Sequence, residues 1–132
     1  MKLIASLLLL VTSTSAMALQ LPSRKYCDLH ENYEARVVKQ TEDRFNVGEV
    51  TRTDLAKAQL DQVDIQMQCG DILRGNASIE NSYCAIAGSL AQTYADGVSE
   101  EGRAGQRSSI EVDEANTRLL DVQAACEPST TK

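Results

Sequence analysis

The residues with the clearest chemistry in this chain are its four cysteines, and they are regularly spaced. Cys27 and Cys69 stand 42 residues apart, and so do Cys84 and Cys126. Thiols in a small protein commonly ligate zinc or close disulfides. The close CxxC-type pairs of structural zinc sites are absent, so disulfides are the expected use. Four cysteines allow three pairings. The equal spacing favours Cys27–Cys69 and Cys84–Cys126, and the crossed set, Cys69–Cys84 with Cys27–Cys126, stays open.

Other candidates for chemistry are weaker. His30 is the only histidine and sits in a stretch that reads as a structural helix, with no partner to make it a general base. The acidic pairs Glu42-Asp43 and Glu100-Glu101 read as solvated charges near helix ends, without neighbours that would raise a carboxyl pKa. The chain is expected not to be an enzyme. It is expected to have no catalytic residues and to need neither metal nor cofactor.

The elements that position the cysteines come from an internal repeat. Sliding the chain along itself until Cys27 meets Cys84 also brings Cys69 onto Cys126. The same shift lays Gly48 on Gly105, Ala58 on Ala115, Asp64 on Asp121 and Gln66 on Gln123. Conservative matches follow, among them Leu29 with Ile86, Thr51 with Ser108, Asp54 with Glu111 and Leu55 with Val112. A central glycine with a long arm on each side suits helix, turn, helix. The expected fold is all-α: two tandem antiparallel helical hairpins forming a small four-helix bundle, each hairpin closed by a disulfide.

In the first hairpin, about 27–69, the opening helix is read over about Cys27 to Arg44, with Leu29, Tyr33, Val37 and Thr41 along its inner stripe. Gly48 permits the turn, Thr51 or Thr53 caps the return helix, and Asp54 lies in its first turn. That return helix carries two apolar stripes. Leu55, Ala58, Ile65 and Cys69 form one, and Ala56, Leu60, Val63 and Met67 lie about 150° round from it. A helix of this kind can pack a neighbour on each side.

Gly70 reads as a stop, and residues 70–83 read as a linker, pinned by Ile72, Leu73 and Ile79 and carrying the glycosylation pattern Asn76-Ala77-Ser78. The second hairpin covers about 84–126. Its first helix turns Ile86, Leu90, Ala91, Tyr94 and Val98 inward, and its last carries one stripe, Val112, Ala115, Leu119, Val122 and Cys126. Residues 127–132 read as a polar tail. This order gathers all four cysteines at one end and both turns at the other.

Residues 1–18, MKLIASLLLLVTSTSAMA, have the charged start, apolar core and small-residue cleavage site of a secretory leader, with 19–132 as a single domain. Export to an oxidising compartment agrees with disulfides. Without the leader's Lys2, 12 Lys and Arg face 19 Asp and Glu, a net charge of −7. An acidic chain without a basic cluster argues against nucleic acid. No later stretch has the length and apolarity of a membrane span. With no Trp and one Phe, bulky core material is scarce, so disulfide staples are expected to matter.

The turns carry a resemblance. RFNVGEVTRTDLAKAQLDQVDIQ, from Arg44, resembles the first periplasmic hairpin of the TolC family of outer-membrane efflux and secretion channels. There an aromatic after Arg is followed by Val-Gly and by Thr-Asp opening an Ala/Gln/Leu-rich helix, matched here by Arg44, Phe45, Val47, Gly48, Thr53 and Asp54. GRAGQRSSIEVDEANTRLLDVQAA is similar to that family's second hairpin, with Gly105, Ser108, Val112 and Ala115 at the matching places. The family's tips meet the membrane-fusion adaptor of a tripartite pump. The resemblance therefore implies partner contacts for Phe45, Val47, Gly48, Thr51, Thr53, Asp54, Gly105 and Ser108, and a Gram-negative periplasm as the setting. The arms are far shorter than the family's, and no stretch alternates like a membrane β-strand, so a channel is not expected.

Two functions follow as expectations. One is an interaction module whose tips bind an adaptor hairpin or another copy of the chain. The other is a small stapled structural or envelope-stress protein with no transport role.

Overall fold

The computed structural model describes residues 23–73 and 79–127, with side chains described outside 71–81. Four helices follow one another: α1 (Arg24–Asn46), α2 (Arg52–Leu73), α3 (Ile79–Arg103) and α4 (Ser109–Cys126). The fold is the expected all-α pair of tandem hairpins. Cys27 is bonded to Cys69 and Cys84 to Cys126, with Cα atoms 5.6 and 5.5 Å apart, so each bridge closes the open end of its hairpin. Each closes a loop of 42 residues, worth about 3 to 4 kcal/mol through the unfolded chain. The bridges also place the protein in an oxidising compartment. No described helix is long and apolar enough to cross a membrane.

The helices pack in chain order, α1 along α2, α2 along α3 and α3 along α4. Among the described residues no other helix pair brings Cα atoms within 8 Å. The core lies between α2, α3 and α4. Near the turns it holds Ala56, Tyr94, Val98 and Ala115. Towards the bridges it holds Leu60, Ala87, Ala91 and Val122, with Leu90, Leu119 and Cys126 packed against them. Ala87, Ala91 and Ala95 recur every fourth residue of α3 and are all buried. Such a strip of small side chains lets the helix axes come close, so a chain poor in aromatics still fills its core.

The two stripes of α2 have the expected use except at Met67, which ends one stripe and is exposed. Ala56 and Leu60 join the core with α3 and α4, while Ala58 shares a buried face with Cys69, which is bonded to α1. The α4 stripe is also as read, with Ala115 and Val122 buried.

The inner stripe expected for α1 is a correction. Leu29 and Tyr33 are 61% and 55% exposed, and the helix instead buries Cys27 and Val38. One neighbour covers one face only, and the Cys27 bridge fixes which face that is. Ile86 on α3 is likewise exposed, with Ala87 turned inward in its place.

The helices are longer than read. Ser23 caps α1 by accepting the Tyr26 N–H at 3.2 Å, so the helix is already under way when Cys27 enters the bridge. An antiparallel partner bonded at Cys69 must then run past that residue to match it, and α2 continues through Gly70 to Leu73. Helix α3 starts at Ile79, so the segment 70–83 is mostly helix. The leader at 1–18, the Asn76-Ala77-Ser78 pattern, the side chains of Ile72, Leu73 and Ile79, and the tail beyond Glu127 lie outside the described residues.

Candidate functional site

Both turns are built by one plan. At the end of α1, the Gly48 N–H donates to the Phe45 carbonyl at 3.0 Å and the Glu49 N–H to the Arg44 carbonyl at 2.9 Å. At the end of α3, the Gly105 N–H donates to Gly102 at 3.0 Å and the Gln106 N–H to Glu101 at 2.8 Å. These are paired Schellman bonds, which satisfy carbonyls a helix end otherwise leaves open. They need a left-handed residue, and Gly48 and Gly105 both have φ of 76°. A Cβ on either would meet nothing within 4 Å, so the backbone alone calls for glycine.

The return helices start alike. The Asp54 N–H donates to Thr51 Oγ1 at 3.2 Å, while the Thr51 N–H donates back to Asp54 Oδ2 at 3.0 Å. Ser108 and Glu111 make the same reciprocal cap, at 3.3 and 2.8 Å. Each cap satisfies two amide donors at once.

Arg107 joins the two turns. It donates to Asp54 Oδ1 at 2.8 Å across the molecule, to Glu101 Oε2 at 2.6 Å and to Glu111 Oε1 at 3.4 Å. Burial opposes the Asp54 charge, yet the Thr51 N–H, Arg107 and the Thr51 hydroxyl together hold this carboxyl below its usual range. The Ser108 N–H and hydroxyl, aided by Arg107, hold Glu111 low as well. Glu101 was expected to be solvated; instead it is half-buried and bound to Arg107.

A second arginine works lower in the bundle. Arg118 on α4 meets Asp61 and Asp64 on α2, at 2.5 and 2.6 Å, and the Tyr83 hydroxyl donates to Asp64 at 3.1 Å. Burial and the Asp64 charge push the Tyr83 phenol up to about 12. Neither arginine cluster was read from the sequence, although the repeat held a signal. Arg118 is the repeat counterpart of Asp61, and these equivalent positions of opposite charge pair with each other.

The residues assigned to the tips divide into two groups. Gly48, Thr51, Asp54, Gly105 and Ser108 are occupied in shaping the turns. Thr53 is a correction: it is 6% exposed, and a Cβ on Gly97 of α3 would stand 2.1 Å from its hydroxyl, so it is a packing contact and not a surface one. Val47, in contrast, is 70% exposed at the tip. Phe45 is partly exposed and lines a groove of about 350 Å³ with Arg52, Leu55, Gln59 and Leu90.

Ile110, missed in the sequence, is 75% exposed in the first turn of α4. It is the repeat counterpart of Thr53, so equivalent positions of the two units differ, one buried and one exposed.

The arrangement offers apolar side chains at one end of the molecule on two turns tied together by an ion pair. His30 stacks on Tyr26 with ring centroids 4.1 Å apart, far along α1 from the turns. All four cysteines are in disulfides. Among the described residues no group of three His, Cys, Asp or Glu side chains is placed to hold a metal ion. No protein-family model, curated protein or solved structure matches this chain.

Proposed function

We propose that this is an exported helical-hairpin interaction module whose two turns form one docking end. The observation that carries the reading is the exposure of Val47 and Ile110, at 70% and 75%, on turns that Arg107 and Asp54 hold side by side. Large apolar side chains fixed on rigid, capped turns suit contact with another protein's apolar surface. The resemblance of the turns to TolC-like periplasmic tips supplies the class of partner: the helical hairpin of a membrane-fusion adaptor in a Gram-negative periplasm. The two disulfides agree with that compartment.

The test is binding of the purified, disulfide-bonded protein to an adaptor encoded in the same genome, read by titration calorimetry. Val47→Asp and Ile110→Asp leave the Schellman and capping bonds in place and should each weaken binding about tenfold or more. Binding that ignores both changes would sink the reading.

A second reading has its own support. Gly48, Thr51, Thr53, Asp54, Gly105 and Ser108 each have an intramolecular use. That accounts for most of the tip pattern without a partner and favours a stapled structural protein. Failure to bind any adaptor, with the fold intact, would decide for it.

A further inference from the structure

The two bridges close loops of equal length and differ in their access to solvent. Cys27 and Cys69 are both fully buried. Cys84 and Cys126 are both partly exposed. The helix ends show where the contrast comes from. Helix α2 runs on past Cys69 to Leu73, and Gly70 beside the cysteine is buried. Helix α4 ends on Cys126, the equivalent of Cys69 in the repeat, and the next residue, Glu127, is already extended. One bridge is thus set within its helix pair, and the other stands at the open edge.

The shielded bridge is also the one its helix depends on. Among the described residues α1 packs against α2 alone, and Cys27–Cys69 is the covalent tie between them. Helix α4 has other holds. Ala115 and Val122 are in the core, Arg118 reaches Asp61 and Asp64 on α2, and Arg107 links Glu111 to Asp54. All of these lie at or before Val122. Beyond it Gln123, Ala124 and Ala125 are exposed, and Cys126 is the residue of the last turn that packs against the core. The start of α3 keeps the bond from the Tyr83 hydroxyl to Asp64 whether or not Cys84 is bridged. Opening Cys84–Cys126 therefore takes away the anchor of the last turn of α4 and leaves the other holds in place.

Thiol–disulfide exchange requires a thiolate to reach a sulfur atom, so access decides which of two bridges reacts. We propose that Cys84–Cys126 is a redox-responsive clasp, which a dithiol reductant opens while Cys27–Cys69 stays closed, and that the half-reduced protein keeps its fold with the last turn of α4 released. A thiolate of the dithiol attacks one sulfur of the bridge, forms a mixed disulfide and expels the other cysteine as a thiolate, which takes up a proton. The second thiolate of the dithiol attacks the mixed disulfide and releases the remaining cysteine, which is protonated in turn. The reductant leaves as a disulfide, and its two electrons and two protons reside on Cys84 and Cys126. An oxidised dithiol closes the clasp by the reverse steps. The clasp lies at the end of the hairpin opposite its turn, so its failure and the failure of tip docking are separate events.

The test is timed reduction of the purified, disulfide-bonded protein by dithiothreitol, with capture of free thiols by N-ethylmaleimide and peptide mapping. Cys84 and Cys126 should be labelled together, at least about tenfold faster than Cys27 and Cys69. Denaturing urea should abolish the difference, because both bridges are then open to the reagent. The variant Cys84→Ser, Cys126→Ser stands for the open clasp. Its amides at 123–126 should exchange at least about tenfold faster than in the native protein, while α1, α2 and α3 stay protected. Labelling of Cys27 and Cys69 first, labelling of all four cysteines at one rate, or a Cys84–Cys126 bridge that resists the reductant overturns the proposal. So does a preference that persists unchanged in urea, since the fold would then not be its cause. An unfolded variant, or a last turn as protected as in the native protein, overturns it too.

Discussion

The two hairpins share a backbone plan and differ in what surrounds it. Their turns use the same Schellman bonds, the same left-handed glycine and the same reciprocal cap at equivalent positions of the repeat. Both are closed by a disulfide over 42 residues. Yet α3 and α4 lie in a core shared with α2, whereas among the described residues α1 packs against α2 alone. The arginines enlarge the difference. Arg107 and Arg118 both reach from the second unit to carboxylates on α2, so α2 is tied more firmly to the second hairpin than its own hairpin partner is. A duplicated sequence has become a three-helix body with a pendant fourth helix.

Removing the bridges should break the two hairpins in different ways. Replacing Cys84 and Cys126 by Ser should cost about 3 to 4 kcal/mol and lower the melting temperature of the whole molecule, because α3 and α4 build the core. Replacing Cys27 and Cys69 should remove a similar amount from α1 alone, leaving the main thermal transition less affected. Equal falls in the main transition would contradict the comparison.

The cross-unit arginines come next in size. Arg118→Ala leaves Asp61 and Asp64 facing each other with their shared cation gone and should cost about 2 kcal/mol, less than for a fully buried pair because the groups keep some solvent. Arg107→Ala, with more exposed partners, should cost about 1 kcal/mol. Urea denaturation of the oxidised protein measures both. A silent Arg118→Ala would mean that α4 is held without this link.

Gly48→Ala and Gly105→Ala probe what the hairpins have in common. Each forces a Cβ into the left-handed region without a clash, so each should cost about 1 to 2 kcal/mol, and nearly the same amount in both turns. Unequal costs would mean that the turns are not equivalent.

The smallest effect is acid sensitivity. Asp54 and Glu111 have lowered pKa values in the folded protein, so their contribution is complete above their ordinary values of 3.8 and 4.5. It is lost as pH falls through the lower folded values. The melting temperature should therefore decline below about pH 4. Arg107→Ala should move both carboxyl titrations back towards those ordinary values, as read by carbon NMR.

Much of this fold was legible in the sequence, because the features that fix it are local or periodic. The cysteine spacing set the bridges, Gly48 and Gly105 marked the turns, and the two stripes of α2 foretold neighbours on both sides. What escaped was relational. Leu29 and Tyr33 look like core from α1 alone, and they are exposed because the Cys27 bridge turns another face to α2. Thr53 looks like a surface cap until Gly97 of α3 is seen against it. Ile110 is a large apolar residue of the kind that fills cores, but in the first turn of α4 it is 75% exposed. Arg107 and Arg118 bind carboxylates far away in the chain, Asp54 and Asp64, and periodicity does not report partners so distant.

The division into a three-helix body and a pendant α1 is tested most directly by hydrogen exchange. The measurement is mass spectrometry of amide exchange in the Cys27→Ser, Cys69→Ser variant beside the native protein. The account predicts that α1 loses protection in the variant while α3 and α4 keep theirs, since the core and both arginine links lie outside α1. Loss of protection in α1 and α4 together, or its retention in all four helices, would contradict it.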